Sequence, residues 1–119
     1  MSGEPRPDCL FCRIVRRELP AKVVHEDERL FAFEDIHPKA PVHVLIVPKR
    51  HFASLADVPE GEAALLGEVL FRARALAEAR GVAGSGYRVV VNTGPDAGQS
   101  VFHVHFHLLG GRTLEWPPG

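Results

Sequence analysis

No apolar run in this sequence approaches the roughly 20 residues that a helix needs to cross a bilayer. The opening stretch, "MSGEPRPDCLFC", has no hydrophobic segment of the signal-peptide kind. Neither sign of charge dominates: 14 Lys and Arg stand against 15 Asp and Glu, a net charge of −1 with neutral histidines. That balance removes the basic field that draws a protein to nucleic acid or to an anionic membrane. Cysteine is scarce, with only Cys9 and Cys12, so a disulfide framework is excluded. Repeats and low-complexity segments are missing, and no composition break marks a second domain. These absences lead to the expectation of a soluble, cytoplasmic protein with one domain over 1–119. Nucleic acid and membrane are not expected as partners.

The two cysteines form a C-x-x-C pair, which in a reducing compartment is free or metal-binding rather than a structural disulfide. Residues 1–8 carry two prolines and little to bury, and read as a loose arm. A short helix is expected over 9–17, with Leu10, Ile14 and Phe11 facing inward, and Pro20 beyond it. "AKVVHE" and "LFAFED" read as strands around the turn "EDER"; "HPKAP" is a loop, and "VHVLIVP" is a buried strand stopped by Pro48. Residues 59–80 form the clearest helix. Pro59 suits its first turn, and Glu60 and Glu62 suit its dipole. Leu65, Leu66, Val69, Leu70, Ala73, Leu76 and Ala77 trace its inner face, and Gly81 stops it. "YRVVVN" is a strand, "TGPDAGQ" a glycine-rich loop, "SVFHVHFHLLG" the last strand, and 111–119 a tail. The connections are mostly too short for parallel crossovers. The expected fold is therefore α+β: about five antiparallel strands, with one long and one short helix on one face of the sheet.

The last strand carries the sequence's most unusual feature. A repeat of two places His103, His105 and His107 on one face, about 6.5–7 Å apart, and turns Val104, Phe106 and Leu108 toward the long helix. Three readings compete. The face is a solvated one, although such faces usually draw on Lys, Glu, Thr and Ser. Or the imidazoles share a metal, although parallel neighbours on one strand rarely converge on one ion. Or the row is catalytic, since imidazole is nucleophilic and titrates near neutrality. Gly94 and Gly98, just upstream, can bring backbone N–H groups into the concavity that holds phosphate oxygens, though no Walker lysine follows.

His103-Val104-His105-Phe106-His107-Leu108-Leu109 matches His-φ-His-φ-His-φ-φ, with φ apolar, at every position. With "FEDIHPKAPVHVLIVPKRH", "YRVVVNTGPDAGQSVFHVHFHLLGGR" and "WPPG", nearly the whole chain resembles the histidine triad family, and within it the Hint branch of homodimeric nucleoside phosphoramidases. The resemblance implies a nucleotide hydrolase acting on purine nucleoside phosphoramidates or aminoacyl-adenylate-like substrates. His105 would be the nucleophile and His107 the phosphate-contacting histidine. Ser100 would assist the leaving nitrogen, or is simply a serine at a strand start. Gly98, Gln99 and Asn92 would lie by the phosphate and the 5′ oxygen. Asp35 would accept hydrogen bonds from the ribose hydroxyls, where a carboxylate suits a vicinal diol. Phe33, Ile36, Leu10 and Ile14 would line the base pocket, or are plain core residues. His43 is a fourth histidine near the site, or a satisfied core histidine. Trp116 would reach a partner subunit, consistent with a homodimer.

Cys9 and Cys12 depart from the best-known animal members. Some bacterial relatives and the hexose-phosphate uridylyltransferases carry such a pair, where it joins two histidines on a structural zinc. The matching histidines here are His51 and His103. Four protein ligands close the coordination shell, so such a zinc is structural and not catalytic; the alternative is a pair of half-buried thiols. Competing functions are a dinucleoside polyphosphate hydrolase, a non-catalytic nucleotide-binding regulator, and a zinc hydrolase that uses the whole triad as ligands. The short chain and its "WPPG" ending argue against the first of these, and the intact His105 against the second.

Overall fold

The structure, a computed structural model, describes residues 3–119. A short helix α1 (Leu10–Val15) precedes three strands, β1 (Val23–Glu26), β2 (Leu30–Glu34) and β3 (Val42–Pro48). The long helix α2 (Ala63–Ala79) follows two 3₁₀ turns, and β4 (Tyr87–Val91) and β5 (Phe106–Gly110) complete the chain. The strands lie in the order β1-β2-β3-β5-β4, every neighbour antiparallel. The α+β class, the five antiparallel strands and the pair of unequal helices agree with the sequence reading.

The helices, however, take opposite faces of the sheet. Leu65, Val69, Ala73, Leu76 and Ala77 of α2 pack on Leu30, Ala32, Val42, Val44, Ile46, Val104, Phe106 and Leu108. On the other side Phe11 and Ile14 of α1 cover Phe31, Phe33, Leu45 and Val47. The physical reason lies in β2 and β3. Leu30 to Phe33 and all of Val42–Pro48 are buried, so both pleat faces of the central strands need cover. Two residues expected to face inward do not: Leu10 is 45% exposed and Leu70 is 52% exposed. Leu10 opens instead onto a cavity described below.

α2 ends where Gly81 takes the left-handed conformation (φ 75). The Gly81 N–H reaches the Glu78 carbonyl and the Val82 N–H the Ala77 carbonyl, a Schellman closure with Val82 buried beneath it. Gly3 is buried and exchanges both backbone hydrogen bonds with His51, at 2.9 and 3.2 Å.

The last strand also begins later than expected. β5 starts at Phe106, so His103 and His105 lie in the bent segment before it. Side chains and loop backbone take over the groups a ladder would have used. The Val104 N–H donates to the Phe52 carbonyl at 2.7 Å, and the His105 imidazole occupies the His103 carbonyl. His103 therefore leaves the histidine row.

Candidate active site and metal centre

The α1 face of the sheet is divided. α1 covers its apolar half, Phe31, Phe33, Leu45 and Val47. The other half carries His107 on β5, paired in register with Leu45, and His43 on β3. A cavity of about 370 Å³ opens along the border and is lined by Leu10, Ile14, Phe33, Asp35, Ile36, Ser100, His105 and His107 among others. Asp35 and all four candidate base-pocket residues are thus brought to one cavity with two of the triad histidines. Asp35 directs Oδ1 to the His37 N–H at 2.8 Å, and Oδ2 lies 3.4 Å from His43 Nε2.

Hydrogen-bond partners determine which nitrogen of each ring carries the proton. His105 Nδ1 lies 2.8 Å from the His103 carbonyl, which can only accept. The proton is on Nδ1, and Nε2 keeps its lone pair. The Lys39 N–H donates to His43 Nδ1 at 3.0 Å, which leaves the His43 proton on Nε2. That Nε2–H faces His107 Nδ1 at 2.9 Å, so His107 must carry its proton on Nε2. The result is a line of donors running from Lys39 through His43 to His107, beside a nucleophilic nitrogen on His105. The His105 and His107 ring centroids lie 5.1 Å apart, and Phe11 meets the His105 ring edge-on at 5.0 Å. Burial lowers the pKa of His43 and His105, and pushes His107 down to about 4 with help from the charges of His105 and His43. All three rings are neutral at neutral pH, as the hydrogen-bond pattern requires.

The second histidine group holds Cys9, Cys12, His51 and His103, whose ligand atoms all lie within 4.8 Å of one another. Cys9 Sγ is 3.4 Å from His103 Nδ1, and Cys12 Sγ is 3.4 Å from His51 Nδ1 and 3.5 Å from His103 Nδ1. His103 Nε2 donates to the Pro48 carbonyl at 2.8 Å, which turns the Nδ1 lone pair toward the sulfurs. Tetrahedral zinc with bonds of about 2.0–2.3 Å requires ligand separations of roughly 3.3–3.8 Å, and these distances meet it. The Pro48 carbonyl is the outer-shell acceptor that orients a ligating imidazole. The donor set fits zinc, and it is closed. His103 thus faces the sulfurs and not the cavity that holds His105 and His107.

The remaining candidates divide. Ser100 lies at the cavity wall, outside any strand. Gln99 is buried, but its amide is spent on backbone groups: Oε1 accepts from the Gly94 N–H, and Nε2 donates to the carbonyls of Ala53 and Val101. The Gly98 N–H is bound to the Pro95 carbonyl. Gln99 and Gly98 therefore shape the turn, with Gly94 and Gly98 at positive φ, and the groups just named are not free to hold phosphate. Asn92 lines a different cavity, which His107 also lines. Trp116 is 80% exposed, with the Arg88 guanidinium 6.0 Å above its ring, and is absent from the lining of the apolar cavity. Sequence reasoning missed the Lys39 amide, and did not identify which carbonyl holds the His105 ring. Both are backbone groups, and side-chain pattern carries no signal for them.

Comparison with known proteins agrees with this geometry. The model of the HIT domain matches residues 16–114. An uncharacterized HIT-like protein of Synechococcus elongatus is 50% identical over 112 residues, 94% of this chain and 97% of that protein. A 14 kDa zinc-binding protein of Zea mays is 47% identical over 112 residues, 92% of this chain and 87% of that one. The crystal structure of a HIT family hydrolase from Legionella pneumophila superposes with a TM-score of 0.92 at 51% identity, covering 94% of this chain and all of that one.

Proposed function

Because the chain belongs to the HIT domain family, we propose that it is a nucleotide hydrolase of the Hint type that cleaves the P–N bond of purine nucleoside 5′-phosphoramidates. The observation that carries this reading is the His105 tautomer: its Nδ1–H is held by the His103 carbonyl at 2.8 Å, which leaves the Nε2 lone pair free on a residue that lines an apolar cavity.

The base enters between Leu10, Ile14, Phe33 and Ile36, and the ribose hydroxyls donate to Asp35. His105 Nε2 attacks the α-phosphorus with its lone pair. A P–N bond to the imidazole forms as the bond to the leaving nitrogen breaks. The amine departs with the bonding pair and takes a proton, with Ser100 as the adjacent hydroxyl. Positive charge on the modified ring is offset through Nδ1–H at the His103 carbonyl. His107 Nε2–H, held outward by the relay from Lys39, donates to a non-bridging oxygen as charge builds there. Water then attacks the same phosphorus, the pair returns to His105 Nε2, and nucleoside monophosphate leaves. Dividing one substitution into two lowers each barrier.

Cys9, Cys12, His51 and His103 would hold one structural zinc, which supplies a fixed tetrahedral node and no open position for substrate. The maize relative, described as zinc-binding, supports this reading. A homodimer is supported by exposed apolar groups on α2 (Leu70, Phe71) and on the outermost strand β4 (Tyr87), with Trp116 in the tail. The test of the activity is turnover of an adenosine 5′-phosphoramidate against a diadenosine polyphosphate. A clear preference for the phosphoramidate is expected. A preference for the polyphosphate would replace the proposal with the sister activity.

A further inference from the structure

The line of donors through His43 and His107 starts at a backbone amide in the loop 35–41, so its direction is only as firm as that loop. Pro38 and Pro41 fix φ at two positions and restrict the residue before each, which leaves Lys39 the freest residue between them. Three hydrogen bonds hold Lys39. Its N–H donates to His43 Nδ1 at 3.0 Å, its ammonium donates to the His37 carbonyl at 2.9 Å, and its carbonyl accepts from Arg112 Nε at 2.9 Å. The first is the relay, the second stays within the loop, and the third comes from the turn after β5. That turn lies close against the loop. Gly111 takes φ 91, and a Cβ there would come within 2.9 Å of the Pro41 side chain. Arg112 also donates from Nη1 to the Thr113 carbonyl at 2.9 Å, which steadies the guanidinium as it reaches Lys39. The strand that carries His107 thus leads, five residues on, to the side chain that holds the start of the line aimed at His107.

We infer that Arg112 is a positioning residue for His107, acting through Lys39 and His43 without touching the substrate. Its effect on rate rests on the phosphoramidase reading above; its effect on the rings does not. With Arg112 in place the Lys39 N–H stays on His43 Nδ1, His43 keeps its proton on Nε2, and His107 presents Nε2–H to the substrate. Without it the Lys39 amide turns toward water and His43 Nδ1 becomes free to carry the proton. The contact between the rings can then reverse: His107 Nδ1–H donates to His43 Nε2, and each neutral ring has moved its one proton to its other nitrogen through water. His107 Nε2 now meets a phosphate oxygen with a lone pair instead of a proton, and the stabilisation of developing charge is lost. Arg112 is exposed, so water competes for the Lys39 carbonyl and the two arrangements coexist once the side chain is removed.

The experiment measures kcat and KM of the full-length protein on an adenosine 5′-phosphoramidate, and follows the imidazole nitrogens by two-bond 1H–15N spectra. In Arg112→Ala, kcat should fall about three- to tenfold at a nearly unchanged KM. His107 should change from the single Nε2–H form to a mixture of both neutral forms. Arg112→Lys keeps one donor and should recover part of the rate and of the parental spectrum. In a His43→Ala background the line is already cut, so adding Arg112→Ala should cost less than about twofold. An equal cost in both backgrounds, a rise in KM at constant kcat, or a His107 spectrum unchanged in Arg112→Ala overturns the assignment. A parental protein that hydrolyses no phosphoramidate overturns the reading of the reaction, and the ring spectra then decide the role of Arg112 by themselves.

Discussion

Two histidine clusters lie side by side in this molecule, built from overlapping sequence, and they are wired in opposite ways. In the Cys9, Cys12, His51 and His103 cluster the lone pairs converge: sulfur and Nδ1 atoms face one another across 3.4–3.5 Å. In the Asp35, His43 and His107 cluster the ligand atoms are as close, within 4.8 Å, but the contact between the two rings already holds a proton. His43 Nδ1 accepts from the Lys39 amide, and His43 Nε2 donates to His107 Nδ1. Convergent lone pairs call for a cation. A donor-to-acceptor line passes orientation from one ring to the next. The same residue type serves as node or relay according to where its second nitrogen is bound. The clusters meet at His103, whose ring belongs to the first while its carbonyl orients the nucleophile beside the second.

The sharpest way to separate the clusters is to remove the nucleophile. His105→Ala should lower kcat by about a thousandfold or more, because the covalent route is lost. It should leave one zinc per chain bound, since His105 gives nothing to the tetrad. Steady-state turnover and elemental analysis on one preparation read both. Hydrolysis at the parental rate would remove His105 from the mechanism; loss of metal along with activity would show that the clusters are not independent.

The converse change has a smaller effect on chemistry and a large one on stability. Cys12→Ala deletes a buried ligand, so zinc content should fall from about one per chain to near zero. A ligand bound at 100 to 1,000 times its Kd stabilises by about 3–4 kcal/mol, and for a domain of this size that amounts to about 10 °C in Tm. Calorimetry with and without chelator gives the comparison. An unchanged melting point and a parental protein without zinc would leave the tetrad as free thiols and imidazoles.

The difference between the clusters also marks how far the sequence could be read. Alternation in residues 103–109 and apolar spacing in 63–79 disclosed the sheet face and the long helix, because those patterns follow from backbone period. The burial of both faces of β3 was already visible in "VHVLIVP", yet the side taken by a six-residue helix was not, since so short an element carries almost no phase. The same alternation misled at His103. A period of two assumes an unbroken strand, whereas the loop that ends in Gln99 delivers the chain bent, and Pro48 accepts from the His103 ring. The triad signature pointed to the chemistry through resemblance. The tautomers rest on Lys39 N–H and His103 C=O, backbone groups that do not depend on the side chain except at proline, which has no N–H.

The finest comparison uses pH. His107 has its pKa held down to about 4 from an ordinary 6.5, first by burial and then by the charges of His105 and His43; burial lowers His43 too. The folded state therefore takes protons later than the unfolded chain does. The stability contributed by these two rings is complete above the unfolded value and is lost as pH falls below it; for His107 the loss runs from about 6.5 toward 4. His107 stays neutral over most of that window, so kcat/KM should hold below the ordinary histidine range and fall only as the depressed pKa values are reached. A pH–rate profile with the acid limb below 6.5, alongside urea melts that weaken across the same interval, is the expected pair. An acid limb at or above 6.5 would mean that burial does not keep His43 and His107 neutral. The line of donors from Lys39 could not then set which nitrogen of His107 meets the substrate.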